Sequence, residues 1–123
     1  MKVTSLNPIY GTANVEEAVA FFNELGFTVK HSYQKDGFEV KTLENDCGLR
    51  MDIMNSDYVR NSKVNGFFAT RLNVDNLEEA MAFFNKHGAK QIMPVIKEGE
   101  SREVTNYLTE NGDIYSVVHH IKD

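Results

Sequence analysis

Few side chains in this 123-residue sequence stand where chemistry usually starts. His119 and His120 are adjacent in a strand-like run, Ile114–Ile121. Neighbouring strand residues point to opposite faces, so the pair cannot form one metal site by itself. His31 and His87 lie near the ends of helix-like segments and read as surface groups. Cys47 sits in an Asp46-Cys47-Gly48 turn with no partner motif, which suits an incidental thiol better than a nucleophile. No Gly-rich phosphate loop, nucleophile elbow or Ser-His-Asp pattern can be placed. What remains is a pair of opposite charges, Arg50 and Asp52. They belong to a run in which Leu49, Met51 and Ile53 alternate with Arg50, Asp52 and Met54, a greasy face against a polar one. Such a pair either meets a polar ligand or neutralises itself on an open sheet face.

Positioning comes from a repeated element. Residues 14–26 (NVEEAVAFFNELG) and 76–88 (NLEEAMAFFNKHG) are identical at nine of thirteen positions, 62 residues apart. Each copy reads as an amphipathic helix. Asn14 and Asn76 are N-caps, Glu17 and Glu79 complete a box-like arrangement, and Gly26 and Gly88 end the helix in a left-handed residue. Val15, Ala18, Val19, Phe22 and Leu25 share one face, as do Leu77, Ala80, Met81 and Phe84. The pairs Phe21–Phe22 and Phe83–Phe84 are expected in the core rather than in a ligand box. Strands are predicted before the helices at Val3–Ala13 and Phe67–Val74. Three follow each helix: Phe27–Tyr33, Phe38–Leu43 and Leu49–Met54, then Lys90–Ile96, Arg102–Thr109 and Ile114–Ile121. Asp36-Gly37, Asn45–Gly48 and Asn111-Gly112 supply turns, and Pro94 marks an edge strand. The expected organisation is a single domain over residues 1–123: unit one about 1–54, a polar linker about 55–66, and unit two about 67–123.

Composition narrows the class. A net charge of −5, with 13 basic residues scattered along the chain, lacks the basic stripe of a nucleic-acid binder. No apolar run approaches the length of a membrane span, and the opening MKVTSLNPIYG does not read as a signal peptide. A lone cysteine and no Asn-x-Ser/Thr acceptor favour a cytoplasmic protein.

Strand, capped helix, Gly-Phe and three strands, twice over, resembles the glyoxalase / bleomycin-resistance / extradiol dioxygenase superfamily, the vicinal oxygen chelate proteins. The resemblance is carried by residues 14–27 (NVEEAVAFFNELGF), their copy at 76–88, and 110–117 (ENGDIYSV), which is similar to the family's final turn and strand. It implies an α+β fold: two tandem βαβββ units forming a curled mixed sheet, helices outside and a ligand in the trough. In metal-using members a divalent ion is held by His, Gln or Glu from the first and last strand of each unit. Those positions fall here on Asn7, Asp52, Ala69 and Ser116, of which only Asp52 is a strong ligand type. The resemblance therefore implies neither a glyoxalase isomerisation nor a ring cleavage, and the expectation is no metal and no other cofactor. Strand alternation from these positions gives Asn7, Arg50, Asp52, Arg71, Asn73 and Ser116 as ligand-binding residues and none as catalytic. The expected protein is a metal-free binder of small organic molecules like the bleomycin-resistance branch, with Arg50 or Arg71 meeting an anionic group. By the same resemblance it is a homodimer. The alternatives are a lyase, isomerase or dioxygenase-like enzyme with an atypical site, or a self-associating regulatory domain.

Overall fold

Both repeated helices begin on the asparagines that the pattern singles out. In the computed structural model, which describes residues 1–62 and 66–121, the Asn14 side chain accepts the Glu17 backbone N–H at 3.3 Å and Asn76 accepts that of Glu79 at 3.0 Å. The Glu17 carboxylate takes the Asn14 side-chain amide in return, at 2.6 Å. Gly26 and Gly88 close the helices at φ 95° and 76°, a region that costs glycine nothing.

Among the described residues the elements run β1 (Val3–Thr12), α1 (Val15–Glu24), β2 (Thr28–Lys35), β3 (Phe38–Glu44), β4 (Arg50–Asn55), α2 (Asp57–Asn61), β5 (Gly66–Val74), α3 (Leu77–Lys86), β6 (Lys90–Glu98), β7 (Arg102–Leu108) and β8 (Ile114–His120). The order βαβββ therefore occurs twice, and the fold is α+β. No helix among the described residues is long and apolar enough to cross a membrane. The expected linker, residues 55–66, instead carries α2 and the first residue of β5, and its residues 63–65 lie outside the described residues. Ser56 caps α2, and Arg60 donates to the Gly37 carbonyl at 2.7 Å, tying the helix to the β2–β3 turn.

Two compact units result. The amino-terminal unit, Asn7–Phe68, is a mixed sheet in which β1 pairs parallel with β4, and β4-β3-β2 continue antiparallel. Helix α1 covers one face through Val15, Ala18, Val19 and Phe22 on Tyr10, Leu43, Met51 and Ile53. The carboxy-terminal unit joins Met1–Leu6 to the chain from Ala69 onward. Here β5 pairs parallel with β8, and β8-β7-β6 continue antiparallel. Helix α3 packs Leu77, Ala80 and Phe84 on Val74, Tyr107 and Val117. Each fully buried aliphatic or aromatic side chain in these clusters contributes about 1.5–3 kcal/mol.

The first residues of the chain are held by the second repeat. The Lys2 N–H donates to Asp75 Oδ1 at 2.6 Å, the Asp75 N–H to the Lys2 carbonyl at 3.1 Å, and the Thr4 hydroxyl to the Asn73 carbonyl at 3.2 Å. β6 ends its sheet, as Pro94 requires, and its pairing with β7 slips between Met93 and Ile96. Three expected core positions are corrected. Leu25 is the C-cap of α1 and is exposed, because it lies past the last helical turn. Of the phenylalanine pairs, Phe22 and Phe84 pack inward, while Phe21 and Phe83, one helical step away, are exposed.

Candidate functional site

The helices cover one face of each sheet, so the candidate positions are those on the other face. In β5, Leu72 packs toward α3. Strand alternation then sends Ala69, Arg71 and Asn73 to the helix-free side. Directly opposite residues share a face. Arg71 pairs with Ser116 of β8, Ser116 with Asn106 of β7, and Asn106 with Met93 of β6. These four form a row across the carboxy-terminal unit, about 14 Å long at the usual strand spacing.

The row is polar and buried. Arg71, Ser116 and Asn106 are all shielded, as is Asn73 beside it on β5. The Asn106 side-chain amide donates to Met93 Sδ at 3.8 Å, a weak bond, and the Asn73 amide donates to the Ser5 hydroxyl. On the acceptor side, Asn106 Oδ1, Asn73 Oδ1 and Ser116 Oγ have no hydrogen-bond partner among the described residues. A buried polar group left so costs about 1–3 kcal/mol, and three on one face make a surface that gains from any molecule bringing donors.

Charge increases toward one end of this face. Beyond the apolar pair Val104 and Val118 lies the pair Arg102 and His120. Arg102 holds the buried Glu98 carboxylate at 3.1 Å. Desolvation, then the positive charges of Arg102 and Arg71 and the neighbouring His119, hold the His120 imidazole below its ordinary pKa. His119 points to the other face and meets Glu103 at 3.2 Å, as the alternation predicts for adjacent histidines. The arrangement can accept hydrogen bonds at its centre and attract negative charge at its rim.

The other predicted residues belong to the amino-terminal unit. Asp52 pairs in register with Ile9, is buried at 2% exposure, and accepts the Thr42 hydroxyl at 2.6 Å. Arg50 does not pair with Asp52. It is exposed and donates to Glu44 across the β3–β4 ladder at 2.6 Å, which holds that carboxyl below its usual pKa. Asn7 is half-buried on β1. Around them the helix-free face is apolar, with Ile9, Val40 and Met54 buried. Structure thus brings Arg71, Asn73 and Ser116 together in one unit, and Asn7, Arg50 and Asp52 in the other.

Ile9–Asp52 and Arg71–Ser116 are equivalent pairs of the two repeats, which supports the equivalence of Asp52 with Ser116. Neither position offers the donor set of a divalent ion. Ser116 is a hydroxyl, Asp52 is engaged by Thr42, and among the described residues no three His, Cys, Asp or Glu side chains gather as a metal site. The residues present do not fit the metal that the resemblance implies. Asn106 escapes the sequence reading, and His120, set aside there as half of an adjacent pair, stands at the rim. The alternation Arg102, Val104, Asn106 set against Ile114, Ser116, Val118 is the signal that finds them once the β7–β8 register is known.

The chain has the fold of the glyoxalase/bleomycin resistance protein/dioxygenase superfamily. No protein-family model and no curated protein matches its sequence. Solved structures match it over nearly the whole length. Methylmalonyl-CoA epimerase from Mycobacterium tuberculosis superposes with a TM-score of 0.75 at 14% identity, covering 96% of this chain and 89% of that one. Streptomyces coelicolor methylmalonyl-CoA epimerase, in complex with 2-nitronate-propionyl-CoA, gives 0.69 at 12% identity, with 98% and 100% covered. A glyoxalase/bleomycin resistance protein/dioxygenase superfamily member from Vibrio splendidus 12B01 gives 0.62 at 15% identity, with 94% and 97% covered. At these identities the likeness is one of fold.

Proposed function

We propose that this protein binds a small anionic organic molecule without a metal, on the helix-free face of its carboxy-terminal unit. The observation that carries the reading is the buried row Arg71–Ser116–Asn106 with Asn73, where three acceptors lack a partner among the described residues. The ligand supplies hydroxyl or amide donors to those acceptors, and its carboxylate or phosphate lies toward Arg102 and His120. Among the described residues this face carries no general base with a nucleophile beside it, and binding rather than turnover is the reading. A single domain over residues 1–123 and a homodimer belong to the same proposal through the family resemblance, and a cytoplasmic location through the lone cysteine.

The test is calorimetric titration with malonate, inorganic phosphate and methylmalonyl-CoA, the last because a fold relative is solved in complex with it. At least one probe is expected to bind, with Ser116→Val and Arg71→Met each weakening it tenfold or more, about 1.4 kcal/mol. Titration with Zn²⁺, Ni²⁺ and Mn²⁺ is expected to show no stoichiometric site. A micromolar metal site, or anion binding indifferent to both substitutions, overturns the proposal.

A further inference from the structure

The shared helix sequence of the repeats exposes a difference between them. In the carboxy-terminal unit Phe84 is buried flat against Tyr107, ring centroids 4.9 Å apart and planes 14° from parallel, with Tyr115 at 5.5 Å. By register, Tyr107 and Tyr115 correspond to Leu43 and Met51 in the amino-terminal unit. Phe22, the counterpart of Phe84, has neither tyrosine at those places. It meets Tyr10 edge-on at 6.1 Å and Phe21 at 5.2 Å. Tyr10 lies 5.2 Å from Phe68, and its hydroxyl reaches over Gly66, where an added methyl group would collide with it. These four rings and Glu17 border a groove of about 690 Å³ on the helix-bearing side of the unit.

Two of the rings are spread to solvent, Phe21 at 61% and Phe68 at 64% exposure, a large apolar surface to leave open on a small unit. Among the described residues lining the groove, Glu17 is the only one charged at neutral pH. Its carboxylate is fixed at the groove edge by the Asn14 amide. Aromatic faces carry negative potential, and a carboxylate beside them repels anions and attracts cations. The first-turn acids Glu16 and Glu17 offset the positive end of α1. In the other repeat the equivalent carboxylate, Glu79, meets the Met1 amino group at 3.1 Å.

We propose that this groove binds a small organic ammonium ion, quaternary or methylated, with Tyr10, Phe22, Phe21 and Phe68 as its walls and Glu17 as the counter-charge. The site lies outside the polar row and takes the opposite charge. The experiment is titration of the full chain with choline and with dimethylbutanol, its uncharged isostere, followed by amide NMR shifts. Choline is expected to bind about tenfold more tightly than the isostere, with shifts confined to Tyr10–Phe22 and Gly66–Phe68. Phe68→Ala and Phe21→Ala, at exposed positions that leave folding intact, each weaken choline about threefold or more. Glu17→Gln reduces the preference for choline over the isostere. Equal binding of the two probes, no binding of choline up to about 50 mM, or wild-type affinity in both phenylalanine variants overturns the proposal.

Discussion

Replacing Tyr107 with phenylalanine is expected to stabilise the protein, against the usual direction for a core substitution. Tyr107 is 0% exposed, and its hydroxyl has no hydrogen-bond partner among the described residues. Burying a hydroxyl unpaired costs about 1–3 kcal/mol on protein mutational scales. The void left by one oxygen atom returns only a few tenths of that. The ring stays, and with it the near-parallel stack on Phe84. A net gain of about 1–2 kcal/mol should raise the Tm by roughly 3–6 °C in a chain of this length. The measurement is thermal and urea unfolding by circular dichroism at pH 7, with the urea slope unchanged so that the shift reports stability alone. Alkaline conditions add a second check. Burial pushes the Tyr107 phenol above its ordinary value of 10.0, so the folded state keeps a proton that the unfolded state releases. That contribution is complete below pH 10 and is lost as pH rises through the folded value. The advantage of Tyr107→Phe should therefore widen above pH 10. A variant that melts at or below wild type at pH 7, with the same urea slope, refutes the reasoning.

Three further outcomes follow from the geometry. Asn76→Ala removes the acceptor of the Glu79 N–H and should cost about 1 kcal/mol in chemical denaturation, with Asn76→Asp restoring most of it. Malonate binding should tighten as pH falls toward and below the ordinary imidazole value, by at most about tenfold per pH unit, because a bound anion favours the protonated His120 that desolvation and the arginines otherwise disfavour. His120→Gln should flatten that profile in calorimetry. In the free protein the same depressed pKa means that stability is complete above the ordinary imidazole value and falls as pH drops through the folded one. Gly66→Ala forces the Tyr10 hydroxyl aside and should lower the Tm by several degrees, with a changed Tyr10 ring signal in NMR.

Much of the scaffold is legible in the sequence because its signals are local. Asn14 and Asn76 cap through bonds three residues away, Gly26 and Gly88 stop helices by their own backbone freedom, and Pro94 excludes itself from a central strand. The candidate site is only half legible. Alternation places Arg71 and Asn73 on one face, since that needs no knowledge of neighbours, and Ser116 enters through the family resemblance. Asn106 depends on the β7–β8 register, which the turn at 109–113 sets, and Arg50 depends on Glu44 in the adjoining strand. A pattern of period two cannot tell which cross-strand partner a charge will find. The phenylalanine pairs fail for a related reason. Adjacent helical residues point about a quarter-turn apart or more, so a pair cannot pack as a unit.

The assignment of Met1–Leu6 to the carboxy-terminal unit sets an order of events during synthesis. Those six residues leave the ribosome ahead of the Asn7–Phe68 unit, yet the strands they accompany are made after it. The Asn7–Phe68 unit is complete once its final residue has emerged, while Thr4 waits for Asn73 and Lys2 for Asp75. A nascent chain halted soon after Phe68 should hold a formed α1 and β4 with its leading segment still accessible to protease.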